Sequence, residues 1–596
     1  MRLSSQEIKK SATLRPCGQL VGHPRLPHSR GAASSEREEP VAVSRTQMQT
    51  RHNSLKWLAG LPLLTFSLHA ELPSSTGGSS VPVIDMHTHV FNTRDLPLAG
   101  AINAMSRSWV SPSVSAVLKE ALLALTAPDD LDGPLPPKQP LNVREGSPTT
   151  MALSASTNAP PRTLTEGQRT KLRGYLGMKS VNSIRMLSLT NQAQTDRALL
   201  AEAFRKAGFP PAESGTPPAT LKVQSVGLDG YARFVDIMTD GHLRIAHRLM
   251  TEQYPKADLF VHHMMDMEKA YDEKPQIPFD EQMHRMTRLD QRFDGRLLHF
   301  TAFDPFRRED SLESVKRGLN AGAVGVKFYP PSGYQATAND IPDRPGWLSS
   351  SARKDRWDSR YQGLSNEQLN GYNDALFRFC TSNEIPIFTH CTSVGFEADK
   401  GYGLMSDPRF WAKVLSNHPS LRLCFGHSGG EAYWFAGASR KVDKDEALKR
   451  SFGTNVVQLC LTYSNVFCEV GYLDRILDAD SAALFTNRLA SVIRQPAVSG
   501  GWTFGDKLMY GTDWHMIHKE DDHEKYLDAF ACIFARPEFA GYQRRFLAGN
   551  AVRFLQLDRL AADPRFTEAQ RRRWAEIVGR AHENQNRVRL LPDRRE

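Results

Sequence analysis

Residues 83–92 read VIDMHTHVFN. The apolar pair Val83-Ile84 marks a buried strand, and Asp85, His87 and His89 arrive where that strand should be ending. Side chains alternate along a strand, so His87 and His89, two residues apart, point the same way. Two imidazoles converging in a confined space suit one divalent cation, with zinc the default. The stretch therefore predicts the first strand of a fold that gathers polar groups at strand ends.

Working outward, the same pattern recurs from residue 231 onward. Buried runs, ADLFVHHMMD, RLLHFTAFDP, AVGVKFYPP, IPIFTHC, LRLCFGHSGG, NVFCEVGY and KLMYGTDW, alternate with stretches of helical spacing. With VPVIDMH as the first, there are eight strands. Near-continuous apolar runs indicate parallel strands buried on both faces. Eight strand–helix units predict an α/β fold, a (β/α)8 TIM barrel, over residues 81–557. Residues 93–229 break the rhythm and read as a long insertion after the first strand. Its Pro/Ser/Thr-rich part, about 127–163, reads as loop, flanked by helices near 111–126 and 165–206. A second loop interrupts residues 331–363, and residues 558–596 read as a basic helical tail.

In a TIM barrel the working groups sit at the C-terminal ends of the strands. Read in order, these ends carry His87 and His89, then His262 and His263, Asp304, Lys327, His390, His427, Glu469 and Asp513. A third imidazole, His390, and a carboxylate, Asp513, would complete a metal shell with room for water. The cation would lower that water's pKa to roughly 7, and Asp513 would take its proton. Adjacent His262 and His263 face opposite ways and read as structural. Asp304, before Pro305, reads as a turn-former. Glu469 divides between supporting a ligand and forming a structural ion pair. Tyr329, Trp514 and His515 are candidates to line the pocket.

The ordered set IDMHTHVF, AGAVGVKFYP, IPIFTHC, LCFGHSGG and YGTDW, with LAGNAVRFLQL near the C-terminus, resembles the amidohydrolase superfamily. It is most similar to the branch that includes aminocarboxymuconate-semialdehyde decarboxylase and related metal-dependent hydrolases. The resemblance implies that His87, His89, His390 and Asp513 are metal ligands. It implies that His427 polarises substrate or shuttles a proton. It leaves Lys327 between two roles. In a two-metal branch a carboxylated lysine here bridges the ions and His427 binds the second; otherwise Lys327 meets substrate. The GHSGG and GTDW forms are closer to the one-metal pattern, so one Zn2+ is expected, with Mn2+ the alternative.

The expected activity is hydrolysis of an amide, ester or lactone carbonyl of a small-molecule substrate. Nonoxidative decarboxylation or hydration with the same metal is the alternative, and a non-catalytic metal-binding barrel the third reading. Proteins of this kind are often homodimers.

The remaining sequence bounds the setting. The net charge of +9 suggests nucleic acid, but residues 1–56 hold ten Lys/Arg and four Asp/Glu and so carry +6 of it. No aromatic-basic stripe stands out in the rest, so no nucleic-acid partner is expected. Residues 48–70, with Arg51 and Lys56 ahead of an apolar run too short to span a bilayer, read as a signal peptide. That reading makes 1–47 a doubtful extension. It places the protein outside the cytoplasm, in a periplasm or secreted, with no membrane span left after cleavage. None of the seven cysteines forms a CxxC pair, and several sit in strand runs, so buried thiols are expected.

Overall fold

The computed structural model describes residues 81–105, 110–134, 162–178, 191–209, 227–339, 361, 363–436 and 444–582. Two compact units divide the chain, and every described residue belongs to the second, Ala70–Glu596. The segments read as an extension and a signal peptide lie outside the described residues.

The eight buried runs form eight strands: β1 (Ile84–Thr88), β2 (Leu259–His263), β3 (Leu297–Phe303), β4 (Gly325–Phe328), β5 (Ile387–Thr389), β6 (Leu423–Phe425), β7 (Val466–Glu469) and β8 (Leu508–Met509). They pair in sequence order, and every pair is parallel. Met86 N donates to Tyr510 O at 3.0 Å, which brings β1 against the end of β8 and closes the barrel. Closure leaves no exposed strand edge, and every strand residue is buried.

One side chain set fills the lower interior: Ile84, Met86, Leu259, Val261, Leu298, Phe300, Phe388, Cys424, Phe467 and Met509. Phe554, Trp574 and Ile577 from the C-terminal helices belong to the same cluster. Trp574 Nε1 donates to Gly295 O at 2.8 Å, just ahead of β3. The helix Glu568–His582 therefore stoppers the N-terminal end of the barrel. The polar groups collect at the other end.

Residue β1 phase is set by an irregularity. The pairing of β1 with β2 shifts register between Asp85 and Thr88. Met86 points into the lower interior, and plain alternation would send Thr88, not His87, the same way. The bulge inserts one residue, and His87 and His89 become the inward pair. Re-aiming a side chain beside a site is what such bulges do.

The insertion is largely helical where it is described. Pro112–Leu125 starts at Ser111, whose side chain accepts from Val114 N, with proline in the first turn. The span read as helical over 165–206 contains two helices, Glu166–Leu176 and Gln192–Ala207. Each ends on a glycine in left-handed conformation, Gly177 at φ 73° and Gly208 at φ 69°, which satisfies the last carbonyls and stops the helix. Leu228–Thr239 lies on the barrel mouth. Its Arg233 guanidinium donates to the carbonyls of His518 (2.9 Å), Lys519 (2.8 Å) and Glu520 (3.0 Å), beyond β8.

The six described cysteines are unbonded, and all but Cys532 are buried. Among the described residues no helix is long and apolar enough to cross a membrane.

Candidate metal centre

The mouth of the barrel opens into a cavity lined by His87, His89, Lys327, His390, His427 and Asp513 on its polar side. All six groups singled out from the sequence thus meet in one place. The tightest set is His87, His427 and Asp513, whose ligand atoms lie within 4.8 Å of one another. His89 and His390 join through neighbours: His89 Nε2 is 3.5 Å from Asp513 Oδ1, and His390 Nδ1 is 3.1 Å from His427 Nε2. The structure therefore brings His427 closer to the centre than a role outside the ligand set implies.

Each imidazole is held by its outer nitrogen. His89 Nδ1 faces His263 O at 2.8 Å, His427 Nδ1 faces Gly471 O at 2.8 Å, and His390 Nε2 faces Val394 O at 2.7 Å. A carbonyl only accepts, so each outer nitrogen carries the hydrogen and the inner nitrogen presents a lone pair. His87 Nδ1 meets Glu469 Oε1 at 2.9 Å, leaving Nε2 to face Lys327 Nζ at 3.3 Å. Fixing the outer nitrogen so that the inner one can ligate is the usual support for a metal-binding histidine.

The donor set fits a cation. His390 Nδ1 and His427 Nε2 place two lone pairs 3.1 Å apart. Asp513 Oδ1 is buried and has no hydrogen-bond partner among the described residues. Such a meeting of acceptors is unfavourable until a positive centre joins it. The donors are imidazole and carboxylate, the chemistry of zinc or manganese sites.

Electrostatics point the same way. Burial, with the Lys327 charge beside it, holds His87 and His89 well below the usual imidazole range, and burial, with His427 and Lys327 beside it, does the same to His390. His427 is lowered to about 3 by burial and then by Lys327. Neutral imidazole is the ligating form. Burial pushes the Asp513 carboxyl up to about 7, against the pull of Lys327 and Lys519.

Local backbone geometry places two of these groups. Asp513 sits in the left-handed region at φ 51°, with its N–H on His87 O at 2.6 Å. His427 at φ 57° and Ser428 at φ 47° do likewise, and Gly429 and Gly430 continue the run. Non-glycine residues are held in that region only where the surroundings insist on it.

Glu469 does more than the sequence could resolve. Its Oε1 accepts from His87 Nδ1 and from His427 N at 2.8 Å, and its Oε2 accepts from Gly471 N. A Cβ at Gly511 would lie 2.3 Å from Glu469 Oε2, so only glycine leaves room there. Burial raises the Glu469 carboxyl, and the His427 and Gly471 N–H groups pull it back toward the acceptor-only carboxylate. Glu469→Gln keeps the shape but turns one acceptor into a donor facing other donors. Affinity for the metal is expected to fall about 10–100-fold, measured by competition with a chelator. Unchanged affinity would remove Glu469 from the support of the centre.

The other residues considered from the sequence divide. Tyr329 and His515 line the cavity; Trp514 is fully buried and does not. His263 stacks below the site on Phe388, with ring centroids 4.0 Å apart, and donates from Nε2 to Met86 O. His262 accepts from Val90 N. Asp304 accepts from Phe306 N, the turn expected of it. The apolar wall was not legible: Phe91, Leu96, Phe234, Met265, Met267, Phe396 and Met516 come from segments far apart in the chain.

Comparison with known proteins follows this geometry. A model of the amidohydrolase family matches residues 246–557. No curated protein matches the sequence. Among solved structures the chain is similar to an amidohydrolase from Burkholderia multivorans with bound zinc, at 13% identity over 54% of this chain and 91% of that one, with a TM-score of 0.34. It is similar to 2,6-dihydroxybenzoate decarboxylase from Rhizobium, at 14% identity over 52% of this chain and 87% of that one, TM-score 0.31. It is also similar to a dihydroxybenzoic acid decarboxylase from a Polaromonas species with bound manganese and 2-nitroresorcinol, at 13% identity over 55% of this chain and 90% of that one, TM-score 0.32.

Proposed function

This chain belongs to the amidohydrolase family, and from that premise we propose that it is a metal-dependent hydrolase acting on an amide, ester or lactone carbonyl of a small molecule. The observation that carries the reading is the convergence of the inner lone pairs of His89, His390 and His427 with the Asp513 carboxylate, beside Lys327. His87, His89, His390 and Asp513 would hold the cation, one Zn2+ or Mn2+, with His427 against them. When bound, the cation supplies Lewis acidity and acidifies water.

The residues then divide the work. Asp513 accepts a proton from the attacking water while that water's oxygen bonds to the carbonyl carbon. The Lys327 ammonium donates toward the carbonyl oxygen as charge develops there. Asp513 returns the proton to the departing nitrogen or oxygen as its bond to carbon breaks. His87, held by Glu469, and His427, held by Gly471 O, keep the site in register. The apolar wall excludes bulk water, which strengthens each of these interactions. Export through residues 48–70 is part of the same proposal and rests on the sequence alone.

One observation favours nonoxidative decarboxylation as the second reading. Asp513 lines the cavity with its Oδ1 buried and unpartnered among the described residues, so the carboxyl that takes and returns a proton in hydrolysis can equally deliver one to carbon. In that reaction the carbon–carbon electron pair stays on the ring carbon, carbon dioxide leaves, and Asp513 protonates the carbon. The test offers metal-loaded protein a panel of aryl amides, esters, lactones and aromatic acids in ¹⁸O-labelled water. Label in the product acid supports hydrolysis; carbon dioxide release with no newly formed labelled acid supports the second reading. Turnover that persists unchanged after metal removal overturns both.

A further inference from the structure

The helical turn Trp514–Ile517 follows Asp513 and sends His515 into the cavity wall. His515 Nδ1 lies 2.8 Å from His89 O. The carbonyl only accepts, so Nδ1 carries the hydrogen and Nε2 carries the lone pair. His515 Nε2 is buried and makes no hydrogen bond of good geometry among the described residues, and the backbone of Phe91 also lies against the ring. The ring packs on Phe91 with centroids 4.4 Å apart and planes 30° apart, which holds its orientation. Around it the wall is apolar: Phe91, Leu96, Phe234, Met265 and Met516. Lys327 is the sole Lys or Arg among the described lining residues. His515 thus places an acceptor on an apolar stretch of wall, outside the set of groups assigned to the cation; the other such polar group lining the cavity, the Tyr329 hydroxyl, already accepts from Phe396 N at 2.7 Å.

We propose that His515 selects substrate: its Nε2 accepts a hydrogen bond from a hydroxyl or N–H group on an otherwise apolar carbonyl compound. The inference rests on reading the cavity as the substrate site. A ligand with only ether or ester oxygens would leave the buried acceptor unpaired and set lone pair against lone pair. Sites built to pair with a donor reject analogues that lack it far more strongly than apolar pockets reject a change of size.

The probes are benzyl alcohol and benzyl methyl ether, which share the ring and differ in the donor, titrated calorimetrically into metal-loaded protein. The wild-type chain is expected to bind the alcohol about tenfold more tightly than the ether. In His515→Phe, which keeps the stacking on Phe91, that ratio should fall to within about twofold of unity, the loss of one hydrogen bond. His515→Met gives the same readout if the phenylalanine variant does not fold. His515→Gln, whose amide offers a donor to His89 O and an acceptor to the ligand, should keep a preference for the alcohol. Equal affinities in the wild type, an alcohol preference that survives in His515→Phe, or binding of neither probe would overturn the proposal. A preference that survives would mean that the hydroxyl meets another group, the cation included. Metal content of the same samples reports separately on the metal-dependent reading, so the two can fail independently.

Discussion

Replacing His87 and His89 together by alanine is expected to strip the protein of its cation and reduce turnover to background. The two side chains are the inward pair created by the β1 bulge, and each presents an inner nitrogen to the centre. Removing both takes away two of the four groups assigned to the cation and leaves His390 and Asp513, fewer than the three protein ligands that a catalytic site keeps. Lewis-acid assistance contributes several kcal/mol to the transition state, and each 1.4 kcal/mol is a factor of ten. The loss in kcat/KM should therefore be at least about a thousandfold. Elemental analysis of the purified proteins checks the first half: about one ion per chain in the wild type and almost none in the variant. About two ions in the wild type would bring Lys327 and His427 into a second site instead. A variant that holds its full complement of metal would rule out the assignment of β1 as the ligand strand. Both substitutions lie above the interior cluster that includes Phe300, Phe467 and Trp574, so the fold should persist, and circular dichroism decides that point.

Asp513→Asn is expected to produce the second largest loss, through a different quantity. Asparagine matches aspartate in size and tolerates the left-handed backbone at φ 51°. The N–H of residue 513 can still donate to His87 O. What disappears is the ability to take and return a proton. General acid–base groups contribute about 10²–10⁴-fold, so kcat should fall by that factor while KM changes little. Metal content measured on the same preparation separates this from loss of a ligand. Turnover at the wild-type rate with the metal in place would exclude Asp513 as the proton carrier.

The β/α rhythm was legible because it is local. Strand runs such as LFVHH and LLHFTAF declare themselves through consecutive apolar residues, and the intervening helices through their spacing. The order of polar residues at strand ends followed, since a parallel barrel puts all eight ends on one face. The order of strands alone therefore groups His87, His89, Lys327, His390, His427 and Asp513 at one mouth. Helix ends in the insertion were less legible. Gly177 and Gly208 stop helices by adopting left-handed angles, and composition does not reveal which glycine will do so.

The amino-acid order by itself determined the barrel and the cast of polar groups at its mouth. Tertiary structure alone decided how that cast is arranged. Alternation along β1 predicts that His87 and His89 share a face, but the bulge against β2 decides that this face is the interior. The left-handed run His427–Gly430 decides that His427 joins the tight set with His87 and Asp513. Glu469 becomes the shared support of His87 and His427 because Gly471 and Gly511 leave space around it. Phe234 and Phe396 meet on one wall although they lie far apart in sequence. The physical reason is one of range. Periodicity is an interaction between neighbours three or four residues away, whereas register, tautomer and pocket shape come from contacts between segments that meet only once the chain has folded.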